Sequence, residues 1–158
     1  MSDTPESLAE RLKQEGERVI SFFNNLSQPQ WELIIYPQGA GWTFKHLLAH
    51  IVSSEIGRSE LIQDILMGGM GAPRDFNIEA YNQREVDCLH SETSANLIKR
   101  FALERSKLVN VVSTLKLTDL DRIGNDPFLG EAQLVDIIKL TYRHHIIHLR
   151  DAKRILSK

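Results

Sequence analysis

Residues 43–66 read TFKHLLAHIVSSEIGRSELIQDIL. Phe44, Leu47, Leu48, Ile51, Ile62 and Leu66 recur at the spacing of one helix face, and no proline interrupts them. The connector before this stretch, YPQGAGW (36–42), carries Pro37, Gly39 and Gly41. The one after it, MGGMGAPRDFN (67–77), carries three glycines and a proline. A long amphipathic helix is therefore bounded on both sides, and its apolar stripe needs partners. Three more blocks supply them: about Thr4–Leu26, about Ser94–Leu115 and about Glu131–Leu156. Asp3 suits the N-cap of the first block, with Pro5 in the first turn and Glu6 in a capping box; Ser94 suits the N-cap of the third. A shorter helix fits Ile78–Cys88, and LTDLDRIGNDPFLG (117–130) reads as turns. Strand signals are weak throughout. The expected architecture is an all-α four-helix bundle forming a single domain over 1–158, with a short extra helix in the connection after the second long helix.

Composition narrows the function classes. The chain has 158 residues, a formal net charge of −2, and 42% hydrophobic and 25% charged residues, which is ordinary for a globular domain. No long basic run is present, so no nucleic-acid partner is expected. No apolar run approaches the roughly 20 residues needed to cross a bilayer, so no membrane association is expected. Cys88 is the sole cysteine, and the opening MSDTPESLAERLKQ is too polar for a secretory signal. Both point to a soluble, cytoplasmic protein.

The chemistry-bearing residues are histidines. Residues 140–156, LTYRHHIIHLRDAKRIL, hold His144, His145 and His148. Helical residues four apart differ by about 40° around the axis, so His144 and His148 project side by side. His145 and His148, three apart, could also meet. A helical wheel puts His145 near the middle of the buried face with Leu134, Ile138, Thr141 and Ala152, and His144 on its shoulder beside Asp151. His46 and His50 form a second pair four apart; His46 falls opposite the apolar stripe and His50 on its shoulder. Bundle metal sites draw ligands from facing helices in this way. Spacing alone leaves His144 and His145 both open.

GWTFKHLLAHIVSSE (41–55), YRHHIIHLRDA (142–152) and the lead-in GEAQLVDII (130–138) together resemble the DinB superfamily. They are most similar to its branch of YfiT-like metal-dependent hydrolases and bacillithiol transferases. The resemblance implies an antiparallel four-helix bundle, commonly a homodimer. It also implies a divalent metal such as zinc, nickel or iron, with His50, His144 and His148 as ligands and His145 as an extra imidazole. Three neutral imidazoles leave coordination positions open, an arrangement of catalytic rather than structural type. Such a site holds water as hydroxide or a thiol as thiolate near neutral pH.

Glu55 and Arg58 fall on the interior half of their helix, where unpaired charges are rare. They are the pocket candidates, Glu55 to position a water or substrate and Arg58 to meet an anionic group. Trp31 and Trp42 are expected to pack, Cys88 to be inert, and residues 67–77 to connect or to cover the site. The resulting expectation is a metal-dependent S-transferase or hydrolase that activates a low-molecular-weight thiol or water against a small-molecule electrophile. Its rival is a non-catalytic, metal-binding or stress-related bundle protein.

Overall fold

The computed structural model describes residues 2–158. Four long helices carry the fold: α1 (Pro5–Asn24), α3 (Phe44–Leu66), α5 (Ser94–Ser113) and α6 (Leu134–Leu156), each of 20 or 23 residues. Two shorter ones, α2 (Gln28–Trp31) and α4 (Ile78–Leu89), sit in the connections before and after α3. Helix α1 packs along α5 and α6, while α3 packs on α4, α5 and α6. The result is a four-helix bundle with the short extra helix where it was expected.

The caps are local and differ from the expected ones by one residue. Thr4, not Asp3, caps α1, and Ser7, not Glu6, completes the reciprocal capping box. Asp3 instead pairs with Lys139 of α6 at 2.5 Å. Thr93, not Ser94, caps α5. In each case a threonine hydroxyl takes the free N–H one residue earlier in the chain.

The stretch 117–130 is more regular than its turn-rich sequence implies. Leu117–Asp121 forms a 3₁₀ turn, and β3 (Ile123–Asp126) pairs antiparallel with β4 (Gly130–Gln133). Helix α6 accordingly starts at Leu134 rather than Glu131. A second small ribbon joins β1 (Ile34–Tyr36) to β2 (Trp42–Thr43) at the entrance to α3. The hairpin is stitched to the loop after α3. Asn125 N donates to Met70 O, Ala72 N donates to Asn125 O, and the Asn125 side-chain amide donates to Ala72 O, each at 2.8 Å. Gly71 sits at φ +87°, and a Cβ there would come within 2.5 Å of Asn125 O, so only glycine permits this approach.

The buried interior is divided along the bundle axis. One apolar cluster gathers Phe23, Trp31, Phe44, Leu48, Phe101 and Leu149; the other gathers Leu12, Ile62, Leu108, Leu120, Leu134 and Ile138. Between them each long helix contributes a buried polar residue: Glu15, Glu55, Arg105 and His145. Arg105 crosses this layer, its Nε and Nη2 donating to the two carboxylate oxygens of Glu55 at 2.6 and 2.8 Å. Its Nη1 donates to Leu12 O at 2.7 Å and its Nη2 also to His145 Nδ1 at 3.0 Å. Gly16 makes room, since a Cβ there would lie 2.7 Å from Arg105 Cγ. A bidentate pair with further hydrogen bonds is the arrangement in which buried charge is tolerated.

Candidate metal centre

Thr43 fixes the start of α3. Its hydroxyl accepts from His46 N, and His46 Nδ1 accepts from Thr43 N at 3.1 Å, a capping box with histidine in the usual Glu place. His46 is thus half-buried and structural, stacked on His90 with ring centroids 4.1 Å apart, rather than a free surface residue. One turn on, His50 is buried. Helix α6 passes antiparallel to α3 here, because His50 meets His148 while Ser54 meets His144.

Three imidazoles converge between these helices. His50 Nε2 lies 3.4 Å from His144 Nε2, which lies 2.9 Å from His148 Nε2, and one donor atom from each falls within 4.8 Å of the others. Donors around one ion with 2.0–2.1 Å bonds sit roughly 2.8–3.4 Å apart at tetrahedral or octahedral angles. Burial, and then the neighbouring His148, pushes His50 down to about 3 from its ordinary 6.5. Burial, followed by His148, His50 and Arg58, pushes His144 down to about 2. Burial pushes His148 down to about 4 against the opposing pull of Asp151. All three rings are neutral at neutral pH, the state in which imidazole ligates.

The proton positions can be derived on one side of the cluster. The Tyr36 hydroxyl donates to Asp151 Oδ2 at 2.8 Å, so its oxygen accepts from His148 Nδ1–H, also at 2.8 Å. Burial and Asp151 both hold the Tyr36 phenol protonated above its ordinary range. The Nε2 of His148 is then a bare lone pair facing the cluster. His144 Nδ1 has the Ser54 hydroxyl at 3.3 Å, a partner that serves either tautomer. One proton can bridge one pair of these nitrogens; a cation answers all three at once. The donor set fits a divalent metal, with Tyr36 and Asp151 in the outer position that orients a ligand histidine.

His145 points away from the cluster, into the buried face where the wheel put it. It is 1% exposed, and its Nδ1 accepts from Arg105. Burial first, and then the Arg105 charge, holds its pKa well below 6.5. It belongs to the polar layer and not to the histidine cluster.

A cavity of about 290 Å³ opens beside the cluster, with His50 and His144 in its wall. The two expected pocket residues separate. Arg58 lines the cavity, ion-paired with Asp126 of β3 and lying over the Phe128 ring at 5.5 Å. Glu55 does not line it; its carboxylate is consumed by Arg105. The loop after α3 forms part of the wall through Ala72, Pro73 and Phe76. Trp31 stacks on Phe23, Trp42 donates to Gln83 Oε1 at 3.3 Å beside the His50 ring, and Cys88 is exposed.

Sequence reading missed Tyr36, Arg105 and Asp126. Arg105 did leave a signal: it interrupts the α5 stripe Leu97, Phe101, Leu108 and Val112 at a core position. Asp151, one turn past His148, was also visible as a partner. Tyr36 left none, lying 112 residues from the histidine it orients.

Among the described residues no helix is long and apolar enough to cross a membrane. No curated protein matches the chain. Among solved structures, a mycothiol-dependent maleylpyruvate isomerase superposes with a TM-score of 0.78 at 14% identity, over 95% of this chain and 61% of the other. A histidine-to-alanine variant of that isomerase gives 0.77 at 14% identity, with the same coverage. At that identity the likeness speaks for the fold, and the chain spans about 61% of the isomerase's length. A model of the DinB superfamily matches residues 4–152, nearly the whole chain, and on that match the chain belongs to the DinB superfamily.

Proposed function

We propose that this chain is a metal-dependent enzyme in which His50, His144 and His148 hold a divalent ion (zinc, nickel or iron) and act on a small electrophile with a low-molecular-weight thiol or water. The observation that carries this reading is the convergence of three neutral imidazole nitrogens beside a cavity whose wall holds two of the rings, His50 and His144. When bound, such an ion supplies the Lewis acidity that keeps a thiol as thiolate, or water as hydroxide, at neutral pH. The chain's own groups do the rest. Tyr36 and Asp151 fix the tautomer of His148, Ser54 faces His144, and the Phe128 ring lies 6.2 Å from that of His144. Thiol transfer is favoured over hydrolysis because the structural neighbour is a mycothiol-dependent enzyme. Assignment to a homodimer rests on the resemblance alone, and assignment to the cytoplasm on the sole cysteine.

The test is elemental analysis of the purified protein beside four alanine variants. Loss of stoichiometric metal from His50→Ala, His144→Ala and His148→Ala is expected, with metal retained in His145→Ala. Metal kept by His144→Ala but lost from His145→Ala would overturn the ligand set.

A further inference from the structure

The outward stripe of α6 differs from that of its neighbour α1. Asp136, Leu140, Arg143 and Ile147 fall within a sector of about 60° around the helix axis. Leu140 is half-buried and the other three are exposed. The same spacing on α1 holds Glu6, Glu10, Lys13 and Glu17, an ordinary solvated face. Beside the α6 stripe lies the hairpin, whose Ile123 and Leu129 line a groove together with Asp136, Leu140 and Arg143. Ile123, Leu129 and Ile147 are 53%, 45% and 46% exposed. Large apolar side chains scattered singly over a surface are ordinary, but several gathered on one face mark a contact.

The charges on this face decide what covers it. Among the described residues neither Asp136 nor Arg143 has an ion-pair partner, whereas Lys139 on the flank is held by Asp3. An acidic partner or a basic one would call for a stripe of a single sign. This stripe carries one charge of each sign, about 10.5 Å apart along the axis, with Leu140 close to midway. Such a pattern is complementary to itself. Across a two-fold at Leu140, antiparallel helices bring Asp136 opposite Arg143 of the partner subunit, and the symmetry makes that pair twice.

Other registers are worse. A two-fold at Arg143 sets two guanidinium groups face to face, and parallel packing aligns like charges along the whole stripe. Ion pairs at a rim add little affinity; they choose the register and exclude wrong ones. Attraction comes from covering Ile123, Leu129, Leu140 and Ile147.

We infer that the outward face of α6, with the hairpin beside it, is the contact surface for a second copy of this chain, packed antiparallel across a two-fold at Leu140. The inference deepens the reading of the chain as a homodimer by naming its surface, and it makes no use of the metal.

The test is sedimentation of the full chain at micromolar concentration, beside charge-reversed variants. The unmodified chain is expected to be a dimer. Asp136→Arg or Arg143→Asp sets like charges opposite each other twice and should weaken the dimer about tenfold or more. The double variant Asp136→Arg/Arg143→Asp restores opposite pairs and should dimerise like the unmodified chain. A crosslink reads the register independently of these charges. Only a residue on the two-fold faces its own copy closely enough for a disulfide. In a Cys88→Ser background, which removes the exposed native thiol, Leu140→Cys should therefore crosslink on oxidation and Ile147→Cys should not. A monomeric unmodified chain, a dimer indifferent to the single reversals, a folded double variant that stays monomeric, or Leu140→Cys that does not crosslink would each overturn the inference. A dimer that ignores every variant overturns this surface alone and leaves the homodimer standing. Metal content of the same samples reads the histidine site separately.

Discussion

A histidine becomes a ligand through the partner on its other nitrogen, and here that partner is Tyr36 for His148. The phenol has one proton, committed to Asp151, so its oxygen accepts a hydrogen bond from His148 Nδ1–H, which leaves Nε2 bare. Tyr36→Phe removes the acceptor and leaves a buried N–H without a partner. Metal affinity is expected to fall about 10–100-fold, the range found for outer partners of ligand histidines, while the fold persists. Competition with a chromogenic chelator measures it; unchanged affinity would mean the tyrosine only packs. The contrast between His144 and His145 makes the same point. They are neighbours in sequence, yet one faces His50 and the other Arg105. The wheel correctly read His145 as the inward residue, but inward meant the polar layer and not the cluster.

At the scale of elements, the bundle is held at its waist by charge. Glu55 of α3 and Arg105 of α5 are 0% and 3% exposed, and α1 and α6 join them through Leu12 O and His145. Removing one partner strands the other in the interior. Glu55→Leu or Arg105→Met alone is expected to destabilise by about 3–5 kcal/mol, and the double variant by clearly less. Urea unfolding of the three proteins tests this, and a double variant as unstable as the sum of the singles would contradict it. The long helices were legible because apolar residues repeat at helical spacing over 20 or more positions. The hairpin was not. Its strands, IGND and GEAQ, are four residues each, carry little β propensity and bury no large apolar side chain, so nothing local distinguishes them from turns. The same limit hid Asp126, and with it the fate of Arg58. The sequence placed that arginine inward but could not show that a carboxylate 68 residues away would match its charge.

For the whole molecule, neutral imidazoles in the interior make stability depend on pH. His50, His144, His148 and His145 all have folded pKa values below 6.5, with burial the leading cause. Below 6.5 the unfolded chain binds protons that the folded chain refuses. Stability of the metal-free protein is therefore fully present above about pH 6.5 and falls as pH drops toward 4, by up to about 1 kcal/mol per pH unit for each histidine. Urea midpoints at pH 7, 6 and 5 in chelator should show the decline, and a flat profile would mean that the rings are solvated. The histidine pairs were legible from their helical spacing, but the choice of His144 over His145 came from the resemblance, because His148 lies within reach of both. The cavity was not legible, because its walls come from four segments that meet only in the folded chain. One of those walls invites a last observation. Residues 70–72 are fastened to the hairpin largely through main-chain atoms, with Asn125 the one side chain in the seam. The fastening is therefore indifferent to which side chains the neighbouring positions carry, apart from Gly71. Exchanging Pro73 or Phe76 would thus reshape the cavity wall without loosening the scaffold that carries it.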